Sequence, residues 1–161
     1  MNDIEDVIKR WGVPPVWKGE AITFEFKTAS MDSYAAKFTI VDSNQTPLFT
    51  MDFFKPSDRF NSMGGDNRKI MELAFIHTHR PSDRKKGIST FYIRKLVDFC
   101  VQNGFQVIKL NVCADQQGIE GYSKENALNQ EELIQFYQKV LDHPLMDTAE
   151  ILVNNVNINA E

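Results

Sequence analysis

Residues 84–89, Arg-Lys-Lys-Gly-Ile-Ser, combine three cations with one glycine and open directly into an amphipathic segment. The apolar run shortly before them, residues 70–76, predicts a strand. A helix N-terminus that follows such a loop attracts anions, because its first N–H groups lack internal partners and carry partial positive charge. Gly87 allows close backbone approach or a positive φ. The pattern predicts a binding site for a phosphorylated ligand.

One carboxylate interrupts the apolar run, because Glu72 stands between Met71 and Leu73. A carboxylate on a buried central strand is costly unless it is paired or its pKa is raised. Both conditions suit a general base. An ion-paired or edge-facing glutamate fits the same pattern equally well, so the sequence leaves both interpretations open.

Two histidines, His77 and His79, alternate at the end of this run. Alternate residues of an extended chain point the same way, which is an arrangement that can bind a metal ion. Only His143 and Cys113 are further soft ligands, and no carboxylate stands at a suitable spacing, so we predict no metal site. A histidine at the strand end could act as a base, but we favour two polar loop residues beside the phosphates.

The rest of the chain predicts the elements that position this loop. Runs of strand character cover residues 21–28, 34–41, 48–54, 70–76, 105–113 and 151–158. Helical spacing covers residues 3–11, the segment from Ile88 to a stop at Asn103-Gly104, and residues 131–141.

The order of these elements predicts an α+β fold with a mixed, mostly antiparallel central sheet flanked by helices. A turn cluster at residues 42–47 predicts that the first strands form an antiparallel meander. The strand–phosphate loop–helix–strand unit of residues 70–113 requires two parallel strands joined by a crossover. A ligand is then expected at the end of the strand that feeds the loop.

Composition limits the classes of function. With 161 residues and 42% hydrophobic content, residues 1–161 are expected to form a single domain. A net charge of −4 and a pI of about 5.4 argue against a nucleic-acid partner. The N-terminus lacks a signal-peptide pattern and no apolar run approaches the roughly 20 residues that span a bilayer. We therefore expect a cytoplasmic chain with no membrane partner.

These residues resemble the GNAT superfamily of N-acetyltransferases. The family's diphosphate loop is Arg/Gln-x-x-Gly-x-Gly/Ala between a strand and a long helix, and residues 84–89 are similar to it, with Ser89 in the last position. The segment Phe136-Tyr137-Gln138-Lys139 is similar to the family's second motif, Phe/Leu-Tyr-x-Lys on a helix. Asn129 lies one residue from the position of the family's asparagine. The motifs cover about residues 70–141, and the N-terminal half agrees in element order only.

The resemblance implies a GNAT-like fold and an enzyme that moves the acetyl group of acetyl-CoA to a primary amine by direct attack in a ternary complex. Acetyl-CoA would be a cosubstrate, and no metal would be needed. The residues that the resemblance places on coenzyme A are Phe75, Ile76, His77, Thr78, Arg84, Lys85, Lys86, Gly87, Ile88, Ser89 and Asn129. The N–H of Ile76 or His77 would polarise the thioester carbonyl.

The resemblance also suggests catalytic residues. Tyr137 would protonate the leaving thiolate, although a buried aromatic on the core face of its helix fits the sequence too. Glu72 would be the general base, acting through water. An alternative is a catalytically inactive acyl-CoA-binding or protein-interaction module on the same fold. The acceptor is a small-molecule or peptide amine of unspecified identity, and a homodimer paired through the C-terminal strand stays open.

Overall fold

Within the residues that the structure describes, seven strands form one mixed sheet in chain order. The computed structural model describes residues 4–27, 34–56, 68–111, 130–141, 148–153 and 156–157. The strands are β1 (Ile22–Phe26), β2 (Ala36–Asp42), β3 (Pro47–Phe54), β4 (Ile70–Thr78), β5 (Val107–Asn111), β6 (Thr148–Val153) and β7 (Val156–Asn157). The helices are α1 (Ile4–Trp11), α2 (Ile88–Gln102) and α3 (Gln130–Val140). The predicted α+β class with a mixed sheet is confirmed.

The first three strands form the predicted antiparallel meander. Their second turn is built by Asp42, whose side-chain oxygen accepts hydrogen bonds from the backbone N–H groups of Asn44 at 2.8 Å and Thr46 at 3.0 Å. An aspartate that bonds the backbone two residues ahead is a recognised turn-forming device. The turn cluster therefore acts as the sequence indicates.

The strand–helix–strand unit is also present. β4 and β5 pair in parallel, with α2 in the connection between them, and β5 pairs in parallel with β6. The predicted final strand over residues 151–158 is wrong in detail, because that region contributes to two antiparallel strands, β6 and β7.

The core lies on one face of the sheet. Alternate residues of β2 and β3, among them Phe38, Phe49 and Phe53, join side chains from all three helices in one buried cluster. Trp11 of α1 contacts Phe38 and Phe53, with ring centroids 6.5 and 6.2 Å apart. The opposite face of β2–β4 is more polar, and its cross-strand row contains Thr39, Thr50 and His77. Among the described residues, the buried cluster that all three helices join therefore lies on one face of the sheet.

α2 begins and ends at residues with positive φ. Its N-cap is Gly87, at φ 86° and ψ 9°, and the chain leaves it through Gly104 at φ 76°. The N–H of Phe105 then bonds the carbonyl of Cys100 at 2.9 Å, which closes the helix. Both ends were predicted from the glycines. No helix within the described ranges has the length and apolar character to cross a bilayer.

Candidate functional site

β4 presents an open edge at its C-terminal end. Its first four residues, Ile70–Leu73, pair with Val107–Leu110 of β5. Of the next five residues, all except Ala74 pair with β3 on one side, up to the pair of Thr78 with Phe49. None of the five has a strand beside it on the other side within the described part of the chain. A sheet edge of this kind can pair its backbone amides and carbonyls with an extended ligand.

A β-bulge lies where this edge begins. Phe53 of β3 pairs with Leu73, but its neighbour Asp52 pairs with Phe75, so Ala74 has no partner on β3. The bulge puts Glu72 and Phe75 on the same face of the sheet. Ala74 is exposed and small, so the bulge leaves room above the strand. Bulges are over-represented beside active sites because they re-aim side chains.

The chain leaves β4 through a braced turn. Residues Pro81–Asp83 form a short 3-10 helix that the sequence did not predict. Asp83 is buried and receives two hydrogen bonds from Arg80, from Nε at 2.5 Å and Nη2 at 3.1 Å. Arg80 also contacts the exposed Glu20 at 3.4 Å. The negative charge of Asp83 is therefore compensated within the turn before the cationic residues begin.

The cationic loop carries two left-handed residues close together. Lys85 has φ 62° and Gly87 has φ 86°, and these reversals direct the chain into α2. Lys85 and Lys86 are exposed. A Cβ added at Gly87 would meet no atom within 4 Å, so the space in front of the helix N-terminus is open. This is the cradle-like geometry that binds phosphates.

The loop is joined to the strand end by two hydrogen bonds. Nε of Arg84 donates to the carbonyl of Thr78 at 3.3 Å, and the hydroxyls of Thr78 and Ser89 lie 3.3 Å apart. The open edge of β4 and the first turn of α2 are therefore neighbours. The structure brings together the predicted coenzyme residues from Phe75 to Ser89, whereas Asn129 lies outside the described residues.

The expectation that both histidines are loop residues is wrong for His77. This residue lies in β4 and is buried, because strand pairing with Thr50 continues two residues past the apolar run. Burial, followed by the charges of His79 and Arg84, lowers its pKa to about 4. At neutral pH the imidazole is therefore uncharged.

His79 follows the strand and ends a hydrogen-bonded row. Its Nε2 lies 2.7 Å from the hydroxyl of Thr50, which lies 3.0 Å from the hydroxyl of Thr39. The rings of His77 and His79 are perpendicular, with centroids 4.7 Å apart. Burial and the nearby Arg84 lower the pKa of His79 as well. The row fixes this ring beside the cationic loop.

The two residues with suggested catalytic roles lie in different surroundings. Tyr137 belongs to the buried core, its ring 5.3 Å from that of Phe136, and burial raises the pKa of its phenol. Glu72 is half-buried and alternates with the core residues of β4, in register with Phe54 and Lys109. Tyr137 is thus on the helix-covered side of the sheet and Glu72 on the other side.

Sequence reasoning missed one carboxylate near the bulge. Asp52 is half-buried in β3, between the buried Met51 and Phe53, and stands opposite Phe75. Burial raises its pKa, with a smaller opposite effect from Lys37. The argument that selected Glu72, a carboxylate within an apolar strand, would have selected Asp52 as well.

The remaining candidate groups are less suited to a functional site. Across the segments that the structure describes, no three side chains of His, Cys, Asp or Glu come together as a metal site. Cys100 is buried, and burial raises the pKa of its thiol to about 12; Cys113 lies outside the described residues. A groove of about 560 Å³ between α1 and α2, lined by Arg10, Trp11 and Lys95 among others, lies towards the C-terminal end of α2, away from the loop.

No model of a known protein family matches this sequence, and no curated protein is significantly similar to it.

Proposed function

We propose that this chain is a GNAT-like N-acetyltransferase that binds acetyl-CoA and transfers its acetyl group to a primary amine by direct attack in a ternary complex. The observation that carries this proposal is the continuity of two features. The open edge of β4 leads directly to a cationic loop at the N-terminus of α2. One extended ligand with a phosphorylated end can occupy both.

The dimensions of the edge support this ligand. Five residues of strand span about 16 Å, a length comparable with an extended pantetheine arm between a diphosphate and a thioester. The two amides of that arm would pair with β4 from Thr78 back towards Ala74, in the way that a peptide adds to a sheet edge. The diphosphate would bind the first amides of α2, with Arg84 and Lys85 adding charge.

The acetyl group would then lie near the bulge. A backbone N–H of Ile76 or a neighbouring strand residue would polarise its carbonyl. Tyr137, on the core side of the sheet, would be the acid for the thiolate, and its raised pKa keeps the phenol protonated at neutral pH. Glu72, on the opposite face, is the base that the resemblance suggests.

Calorimetric titration with acetyl-CoA tests the binding site. Gly87→Ala puts a methyl group into the open space that the diphosphate would fill, so we expect affinity to fall at least tenfold. Gly104→Ala is the matched control. It has a similar positive φ and no atom within 4 Å of the added Cβ, but it lies at the other end of α2.

Both variants carry a similar backbone strain, of about 1 kcal/mol, so stability alone cannot separate them. Equal acetyl-CoA affinity in the two variants would contradict the proposed site. Absence of any heat with the wild-type chain would reject coenzyme binding altogether.

Turnover separates an enzyme from a binding module. With a panel of primary amines and acetyl-CoA, Tyr137→Phe should lower kcat about 100-fold or more if its hydroxyl protonates the thiolate. It should leave coenzyme affinity unchanged, because the ring still fills the core. If the wild-type chain binds the coenzyme and acetylates no amine, the inactive module is the correct interpretation.

A further inference from the structure

The bulge at Ala74 is about as far from the cationic loop as the thioester of the proposed coenzyme would be from its diphosphate. Starting from Thr78, whose hydroxyl contacts Ser89 of α2, four steps back along β4 cover about 13 Å and reach Ala74. The pairing of β4 with β5 ends one residue before Ala74, at Leu73. A thioester at the end of the arm therefore lies beside the one point where β4 pairs with neither neighbour within the described sheet.

At this point the reacting group would lie beside both faces of the sheet, and the two faces carry different side chains. The core face is filled by Leu73 and Ile76 together with helix side chains. The opposite face carries the exposed Ala74 and the half-buried Asp52 and Phe75. An incoming amine therefore has room on the second face.

Asp52 is the carboxylate of β3 directly across from the bulged strand. Its partner in register is Phe75, and directly opposite residues on one face lie about 5 Å apart. On its other side it faces Lys37 of β2, and Glu72 and His77 of β4 are diagonal neighbours. No hydrogen bond to its carboxylate comes from any residue that the structure describes.

We propose that Asp52 is the general base of the acetyl transfer, and this inference rests on the proposed function. The carboxylate accepts one proton from the bound ammonium group of the acceptor. The neutral nitrogen then attacks the thioester carbonyl, a C–N bond forms and the C–S bond breaks. The second proton lost by the nitrogen reaches the thiolate through Tyr137 or water, and the free thiol leaves. Asp52 returns its proton to solvent.

The charges around Asp52 suit this role. Lys37 disfavours a second positive charge close to it, which helps the acceptor lose its proton. Burial raises the pKa of Asp52, and a stronger base accepts a proton more readily. Glu72 is two pairs further along the strands and on the same face, opposite Phe54, and is thus placed to attract the ammonium group before it reaches Asp52.

The test is the pH dependence of kcat and kcat/KM for the wild-type chain, Asp52→Asn, Glu72→Gln and Glu25→Gln. Asp52→Asn should lower kcat about 100-fold or more and remove the fall in rate on the acid side, with unchanged acetyl-CoA affinity. Glu25 lies on the same face two strands away and is exposed, so Glu25→Gln should behave as wild type. Glu72→Gln should raise KM and keep the acid limb.

A wild-type kcat and acid limb in Asp52→Asn, while the other variants remain active, would overturn the role of Asp52 and leave the proposed function intact. Loss of the acid limb in Glu72→Gln alone would transfer the role to Glu72. If no amine is acetylated by the wild-type chain, both the inference and the transferase proposal are wrong. Unfolding measured beside the kinetics checks that Asp52→Asn is folded.

Discussion

The buried side chain of His77, near the end of β4, makes the stability of the fold depend on pH. It is 7% exposed, it lies beside His79 and the charge of Arg84, and its pKa is lowered from 6.5 to about 4. The unfolded chain, in which its pKa is near 6.5, therefore takes up a proton at a higher pH than the folded chain. Its contribution to stability is complete above pH 6.5 and is lost as pH falls towards 4.

We predict that the free energy of unfolding falls by about 1–2 kcal/mol between about pH 7.5 and pH 5 through His77 alone. Urea unfolding of the wild-type chain and of His77→Gln at both pH values measures this. The variant should lose less stability on acidification, whatever its stability at neutral pH. The same loss in both chains would contradict the pKa of His77.

Asp52 and His77 also show which features of the candidate site can be predicted from the sequence and which cannot. Their residue types are visible, and a carboxylate in an apolar run is a signal that can be read. Their closeness to the bulge is not visible, because Leu73-Ala74-Phe75 contains no glycine or proline to mark a break. The bulge depends on which residues of β3 pair with β4, and register is a tertiary property.

At the scale of elements, the turn between β4 and α2 is held by an internal ion pair. Arg80 binds the buried Asp83 with two hydrogen bonds and the exposed Glu20 with one longer contact. A hydrogen bond to a buried charge contributes more to stability than an exposed ion pair does. Removing one partner of the buried bond leaves the other desolvated and without compensation. The position of the cationic loop therefore depends mainly on Asp83.

We predict that Asp83→Ala lowers the free energy of unfolding by about 1–3 kcal/mol and weakens acetyl-CoA binding about tenfold. Glu20→Gln is the control, because it removes the exposed partner of the same arginine. It should cost less than about 1 kcal/mol and leave binding unchanged. Denaturant unfolding and calorimetry measure both quantities; equal effects of the two changes would show that Asp83 does not brace the loop.

The elements that were predicted well are those with local signals. Ile22, Phe24 and Phe26 alternate with polar residues and indicate β1, and Asn103-Gly104 indicates the end of α2. The end of β4 was placed two residues early because His77 and Thr78 are polar. Their backbones pair with β3 all the same, since ladder hydrogen bonds do not depend on side-chain polarity.

At the scale of the whole molecule, the sheet consists of two sections with a narrow join. β1–β4 form one section and β5–β7 the other, and only four residue pairs connect β4 to β5. Beyond Leu73, β4 pairs with no described strand on that side, and the proposed coenzyme arm would lie there. Binding would then add hydrogen bonds between the two sections beyond the four residue pairs that join them.

Hydrogen–deuterium exchange tests this arrangement. We predict that acetyl-CoA slows exchange at least tenfold for amides in residues 74–78 and 86–90, where the ligand pairs with the backbone. Amides of β1, at the far edge of the sheet, should change least. Protection confined to the α1–α2 groove would contradict the proposed position of the ligand.

The strand order has a consequence for how the chain is made. Each strand lies beside the one synthesised just before it, so the sheet can grow from β1 outwards while the chain leaves the ribosome. Within the described part of the sheet, no later strand inserts between two strands that have already paired. Of the two edge strands that the structure describes, β7 contains only two residues, and a short edge strand offers little backbone for pairing with another copy of the chain.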